Sequence, residues 1–176
     1  MNKILVTGGA GYIGSHTVVE LIEAGYNPII IDNLCNTSIQ NLDGIEKVIG
    51  KKIKWHDVDC TDKIAVNKVF LEEGVIEGVI HFAAYKAVEE SVRNPEKYYN
   101  NNLGSLEVLL QCMEDNKVKN IIFSSSCTVY GIPDILPVHE NAAFKNAESP
   151  YGNTKQLCEK MLLDDACNSV ALRYFN

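Results

Sequence analysis

An α/β fold built on a doubly wound parallel sheet is predicted by two features of this sequence. Apolar strand-like runs alternate with helical patterns along all 176 residues, which implies a parallel sheet with helices on both faces, joined by right-handed crossovers. The first strand-to-helix junction also carries a glycine-rich turn, Gly8-Gly9-Ala10-Gly11-Tyr12-Ile13-Gly14, a geometry that holds a pyrophosphate.

The elements follow in order. Lys3–Val6 reads as the first strand and Tyr12–Ala24 as the first helix, with Gly25 just past it, where a left-handed residue is wanted. Pro28–Ile31, closed by Asp32, is the second strand, and Ile39–Ile49 the second helix. Lys52–Trp55 is the third strand, and Thr61 is a plausible N-cap for a helix over Asp62–Glu73. Gly78–Phe82 precedes helical patterns at Val88–Asn94 and Glu96–Asn116. Asn120–Ser124 is the fifth strand, and a helix over Tyr151–Cys167 leads into a sixth, Val170–Arg173. The irregular stretch Gly131–Pro150, with three prolines, is longer than an idle connection usually is.

Bulk properties exclude several classes. An apolar fraction of 46% suits one domain with a sizeable core. The net charge of −7 and the lack of a Lys/Arg cluster argue against a nucleic-acid or membrane-surface binder. No apolar run approaches the ~20 residues of a membrane span, and no signal peptide is expected before the first strand. Six scattered cysteines, none in C-x-x-C, read as reduced thiols of a cytoplasmic chain. The four histidines show no ligand spacing, so no metal site is expected.

The glycines fit two registers, Gly9-x-Gly11-x-x-Gly14 and Gly8-x-x-Gly11-x-x-Gly14. In either, backbone amides approach phosphate oxygens where no Cβ intervenes, and the helix N-terminus adds free N–H donors and partial positive charge. A plain tight turn is the alternative, but Asp32 closes the second strand at the distance expected of a ribose-binding acid. Its carboxylate favours NAD over NADP. Ligands in such sheets bind beyond the carboxyl ends of the strands. Asn33, Asp59 (toward the adenine amino group), the small residues of His81-Phe82-Ala83-Ala84, and Ser124-Ser125-Ser126 should therefore face one crevice.

The segment Ser149-Pro150-Tyr151-Gly152-Asn153-Thr154-Lys155 supplies candidate chemistry. Tyr151 and Lys155 are four apart at a helix start and share a face. A phenol titrating near ~10 becomes a usable acid/base for a hydroxyl when a nearby ammonium and a nicotinamide cation lower its pKa. The serines after the fifth strand can hydrogen-bond the same oxygen.

Further motifs accompany these: Val6 through Thr17, Asp32-Asn33-Leu34-Cys35-Asn36, His81-Phe82-Ala83-Ala84-Tyr85-Lys86-Ala87-Val88, Tyr98-Tyr99-Asn100-Asn101-Asn102, Ser124-Ser125-Ser126-Cys127-Thr128-Val129-Tyr130-Gly131, and Leu172-Arg173-Tyr174-Phe175-Asn176. With them the sequence resembles the extended short-chain dehydrogenase/reductase family, on its branch of nucleotide-sugar C4 epimerases. The resemblance implies a tightly held NAD and a UDP-sugar substrate, UDP-galactose or UDP-glucose. Tyr151 would remove the 4-hydroxyl proton while hydride leaves C4, and the 4-keto sugar would turn its other face before the hydride returns. Ser126 would hydrogen-bond the sugar oxygen, Lys155 would bind the nicotinamide ribose and tune Tyr151, and Asn176 would contact the substrate. Cofactor contacts would come from Gly8, Gly11, Tyr12, Ile13, Gly14, Asp32, Asn33, Asn36, Asp59, Cys60, Phe82, Ala83, Ala84, Lys86, Asn101, Ser124, Tyr151, Lys155 and Tyr174. Helix Glu96–Asn116 and the helix from Tyr151 would pair with a second copy as a four-helix bundle in a homodimer.

Family members continue into a C-terminal substrate domain, and the resemblance covers about the first half. Residues 1–176 are thus expected to form one NAD-binding, Rossmann-like domain lacking most uridine and hexose contacts. Its last strand and apolar sheet faces would be unprotected, and it would turn over little substrate alone. Dehydratases of the family carry an Asp-Glu pair after the catalytic Ser/Thr, whereas Cys127 and Thr128 stand here and cannot supply that acid and base. Two other readings stay open: an NAD-binding module without turnover, and another sugar-nucleotide epimerase or decarboxylase of the family.

Overall fold

The computed structural model describes residues 2–175. Six parallel strands form one sheet, ordered β3-β2-β1-β4-β5-β6. They are β1 (Lys3–Thr7), β2 (Asn27–Asp32), β3 (Lys54–Asp57), β4 (Gly78–His81), β5 (Asn120–Ser126) and β6 (Asn168–Tyr174). The helices are α1 (Tyr12–Glu23), α2 (Ile39–Ile49), α3 (Lys63–Glu73), α4 (Val88–Arg93), α5 (Pro95–Asp115) and α6 (Pro150–Asp164). The order reverses between β1 and β4, and a crevice opens at such a switch point beyond the carboxyl ends.

Local chemistry sets the helix ends. Ser38 caps α2, accepting from the Gln40 amide, and Gly50 ends it at φ +70°. Gly25 follows α1 at φ +86°, as its sequence position suggests. The cap of α3 is Asp62, not Thr61: its carboxylate accepts from the Ile64 and Ala65 amides, while Thr61 turns back to Asp59. Helix α6 stops at Asp164, short of Cys167, because the Asp165 carboxylate takes the Cys167 amide and the chain runs straight into β6. The third strand begins at Lys54 instead of Lys52, whose ammonium pairs with Glu46. A short 3-10 turn, Cys127–Tyr130, follows β5 unannounced by the sequence pattern.

One face of the sheet is fully packed. Leu5, Ile29, Val79, Ile121 and Phe123 form a core with α3, α5 and α6. The other face carries α1 and α2, so helices lie on both faces as expected, but their cover is partial. Ile30, Val6, Ile80, Ile122 and Val170 lie side by side along one row. Their exposures are 0%, 0%, 7%, 37% and 54%. The cover of α1 and α2 thus ends at β4, and no described helix replaces it over β5 and β6.

Gly44 lies within α2 with nothing within 4 Å of where its Cβ would stand. Gly44→Ala is therefore expected to stabilise the chain by about 0.5–1 kcal/mol. Denaturant unfolding checks this through an increased midpoint.

Candidate active site

The turn after β1 is shaped to exclude side chains. Gly8 has φ +67°, and a Cβ there would stand 2.7 Å from the Ala83 amide nitrogen, where the ends of β1 and β4 meet. A Cβ on Gly14 would stand 2.8 Å from Gly9 Cα. The register that lines the crevice is Gly8-x-x-Gly11-x-x-Gly14, whereas Gly9 packs on the Ile30 side chain. Gly11 is the N-cap of α1, and no described side chain caps that helix. By contrast Ser38, Asp62, Asn94 and Ser149 cap α2, α3, α5 and α6. The first N–H groups of α1 are thus left facing the crevice, ready for an anion.

The crevice holds about 380 Å³ and runs from Asp32 and Asp59, past this turn, to Ser126, Tyr151 and Lys155. That volume is ordinary for a small-molecule site. Every site residue expected from the sequence lines it, except Asn176, which lies outside the described residues. At the acidic end, Asp32 is buried and accepts from the Ala10 and Leu34 amides (3.0 and 2.9 Å) and from the Thr37 hydroxyl (3.1 Å). It thereby ties the glycine turn to the loop after β2. Asp59 accepts from Asn33 at 2.9 Å and twice from Thr61. Burial would raise its pKa, but the hydrogen bonds from Thr61 and Asn33 outweigh burial and hold it below the usual carboxylate value.

At the other end, Ser149 and Pro150 start α6 as N-cap and first-turn proline, with the Ser149 hydroxyl accepting from the Gly152 amide. This puts Tyr151 at the crevice and Lys155 one turn deeper. Lys155 is buried beneath the site and donates to the Ser124 carbonyl at 2.7 Å. Its Nζ stands 5.9 Å from the Tyr151 ring centre. The Ser126 hydroxyl accepts from the Thr128 amide at the start of the 3-10 turn. A phenol, an ammonium and a hydroxyl thus share one end of a crevice whose middle is an anion cradle.

The sequence matches the NAD dependent epimerase/dehydratase family over residues 4–176. The chain belongs to that family. It is 49% identical over 181 residues to a UDP-glucose 4-epimerase of Dictyostelium discoideum, covering 99% of this chain and 52% of the relative. A UDP-glucose 4-epimerase of Bacillus subtilis is 50% identical over 178 residues, covering 98% and 52%. The structure is similar to the UDP-glucose 4-epimerase of Bifidobacterium longum in complex with NAD+ and UDP (TM-score 0.96, 46% identity, 99% of this chain and 53% of that one). The chain spans about half the length of the curated relatives it matches.

In this epimerase/dehydratase family chain, burial dominates the electrostatics of the reacting end. Burial lowers the Lys155 pKa to about 8. Burial raises that of Tyr151, with the Ser126 hydroxyl acting in the opposite direction. The Lys155 Nζ is held by the Ser124 carbonyl. The sequence reading also passed over Asn102, which is buried on α5. Its amide holds the Tyr85 backbone from both sides, accepting from the amide at 2.9 Å and donating to the carbonyl at 3.0 Å. It so shapes the wall contributed by the loop after β4. Helical spacing from Tyr98 and Leu106, both fully buried, was the signal that Asn102 points inward while its neighbour Asn101 faces the crevice. Thr37 and Tyr85 also line the crevice without having been singled out.

Proposed function

We propose that this chain binds NAD in the crevice and carries the acid/base residues for inversion at C4 of a UDP-hexose, interconverting UDP-galactose and UDP-glucose. The observation that carries the reading is the gathering of Tyr151, Ser126 and Lys155 at one end of a crevice whose glycine cradle lies midway. A dinucleotide fits: Gly8 and Gly14 let the turn close backbone on backbone where a Cβ would clash, the N-terminus of α1 is uncapped, and Asp32 ends β2. Relatives of known structure support it, among them the Bifidobacterium longum protein with NAD+ and UDP and one from Stenotrophomonas maltophila with NAD and a formylated UDP-arabinopyranose.

When bound, NAD supplies the hydride acceptor and donor and a positive charge beside the phenol. Tyr151 takes the proton of the sugar 4-hydroxyl and gives it back, which needs hydrogen-bond reach more than a fixed charge. Ser126 orients that hydroxyl from β5. Lys155 adds positive charge beneath the phenol and, anchored on Ser124, holds α6 against β5. Cys127 and Thr128 follow Ser126, so a second acid/base pair is missing there and dehydration is disfavoured.

Purified chain is expected to bind NAD at one molecule per chain, measured by calorimetric titration. An absence of binding at millimolar NAD would overturn the assignment. Asp32→Ala removes the carboxylate we assign to the ribose hydroxyls and is expected to weaken NAD by about tenfold or more. An unchanged dissociation constant would remove Asp32 from the contact.

A further inference from the structure

Glu159 lies one turn beyond Lys155 on α6 and is 5% exposed. A carboxylate so buried stays only where partners meet it. Arg173 of β6 donates from Nε to Oε1 at 3.0 Å and from Nη2 to Oε2 at 2.7 Å, and the Ser125 hydroxyl of β5 donates to Oε1 at 2.5 Å. Ser125 and Arg173 are neighbours in the β5–β6 ladder. Arg173 Nη1 also donates to the Tyr130 hydroxyl at 2.8 Å and the Glu140 carbonyl at 2.9 Å. Its guanidinium stands 4.8 Å from the Phe144 ring centre. One buried carboxylate therefore joins α6, β5, β6 and the irregular stretch after Gly131. The serine it grips is flanked by Ser124, whose carbonyl takes Lys155, and by Ser126, which lines the crevice.

We propose that Glu159 is a positioning residue of this site, clamping the carboxyl ends of β5 and β6 to α6 and keeping a negative charge one turn from Lys155. The inference rests on the assignment of Ser126 and Lys155 to the reacting end. The groups facing Lys155 are Tyr151, Cys158 and Glu159 from α6, His81 from β4, and the Phe123 ring and Ser124 carbonyl from β5. Burial pushes the Cys158 thiol up to about 11 and His81 down to about 3, so both are neutral near pH 7. Burial also raises Tyr151. The Arg173-bound carboxylate of Glu159 faces Lys155 from the same helix.

The Lys155 titration midpoint, followed by 15N NMR of the Nζ in the ligand-free chain and assigned with Lys155→Arg, tests this. Glu159→Gln keeps an acceptor for Ser125 and drops the charge, and is expected to lower the midpoint and to weaken NAD binding severalfold. An unchanged midpoint overturns the proposal, whatever happens to the melting temperature, since a purely structural role would move melting alone. Breaking one half of a buried ion pair strains folding. If the single variant does not fold, Glu159→Asp keeps the charge and shortens the reach to Ser125 and Arg173; NAD binding weakened severalfold there supports the proposal and unchanged binding overturns it. The midpoint needs no NAD, so a chain that fails to bind NAD defeats the functional reading and leaves this result standing by itself.

Discussion

Tyr151→Phe is expected to lower turnover of UDP-galactose by about 10³-fold, within the span of general acid/base effects, while NAD stays bound. The variant keeps the ring and its burial at the start of α6 and removes only the hydroxyl that would exchange the proton. Turnover is to be read by coupled assay in the protein at the full length of its relatives, because this chain matches about half of them. NAD is read by calorimetry in the same sample. Near-normal rates would remove Tyr151 from the acid/base role, whereas loss of NAD together with activity would show a cofactor contact instead. Because burial raises the phenol pKa in the ligand-free site, wild-type turnover should rise with pH on its alkaline side, as deprotonation of the phenol becomes easier. Tyr151→Phe should abolish that dependence.

Gly14→Ala should have the second large effect, and its sign is decided by competing magnitudes. In a helix interior, alanine is favoured over glycine by about 1 kcal/mol, and at Gly44 that gain is expected to appear. At Gly14 the added Cβ would stand 2.8 Å from Gly9 Cα and press on the Gly8 peptide. The neighbour is backbone and cannot swing aside, so the turn must open, at an overpacking cost of about 1–3 kcal/mol. The expected outcome is a lower unfolding midpoint and NAD binding weaker by about 10- to 100-fold. The paired measurement, Gly14→Ala against Gly44→Ala, separates backbone approach from helix propensity. Equal stabilisation by both would contradict the cradle geometry.

Much of this site was legible because its signals are local. The glycine turn, Asp32 at a strand end, and Ser149-Pro150 ahead of Tyr151 each act through the backbone of a few residues, and each stands where the sequence placed it. Other features depend on partners distant along the chain. Asn102 gained its role by meeting Tyr85, and Glu159 by meeting Ser125 and Arg173. Neither pairing has a spacing to read. The α3 cap was misplaced by one residue because Thr61 and Asp62 are both good caps, and the competition was settled when Thr61 bonded Asp59.

By itself the sequence determined a parallel α/β sheet, the strand ends that face the crevice, and the residues at each end of it, since alternation and turn chemistry are properties of short segments. Tertiary structure alone decided which glycine register lines the crevice, that cover on one sheet face ends at β4, and that Lys155 reaches the Ser124 carbonyl instead of the phenol. These outcomes depend on the distance between segments far apart in the chain and on how deeply a charge is withdrawn from water, and both are set only when the sheet and its helices close on one another.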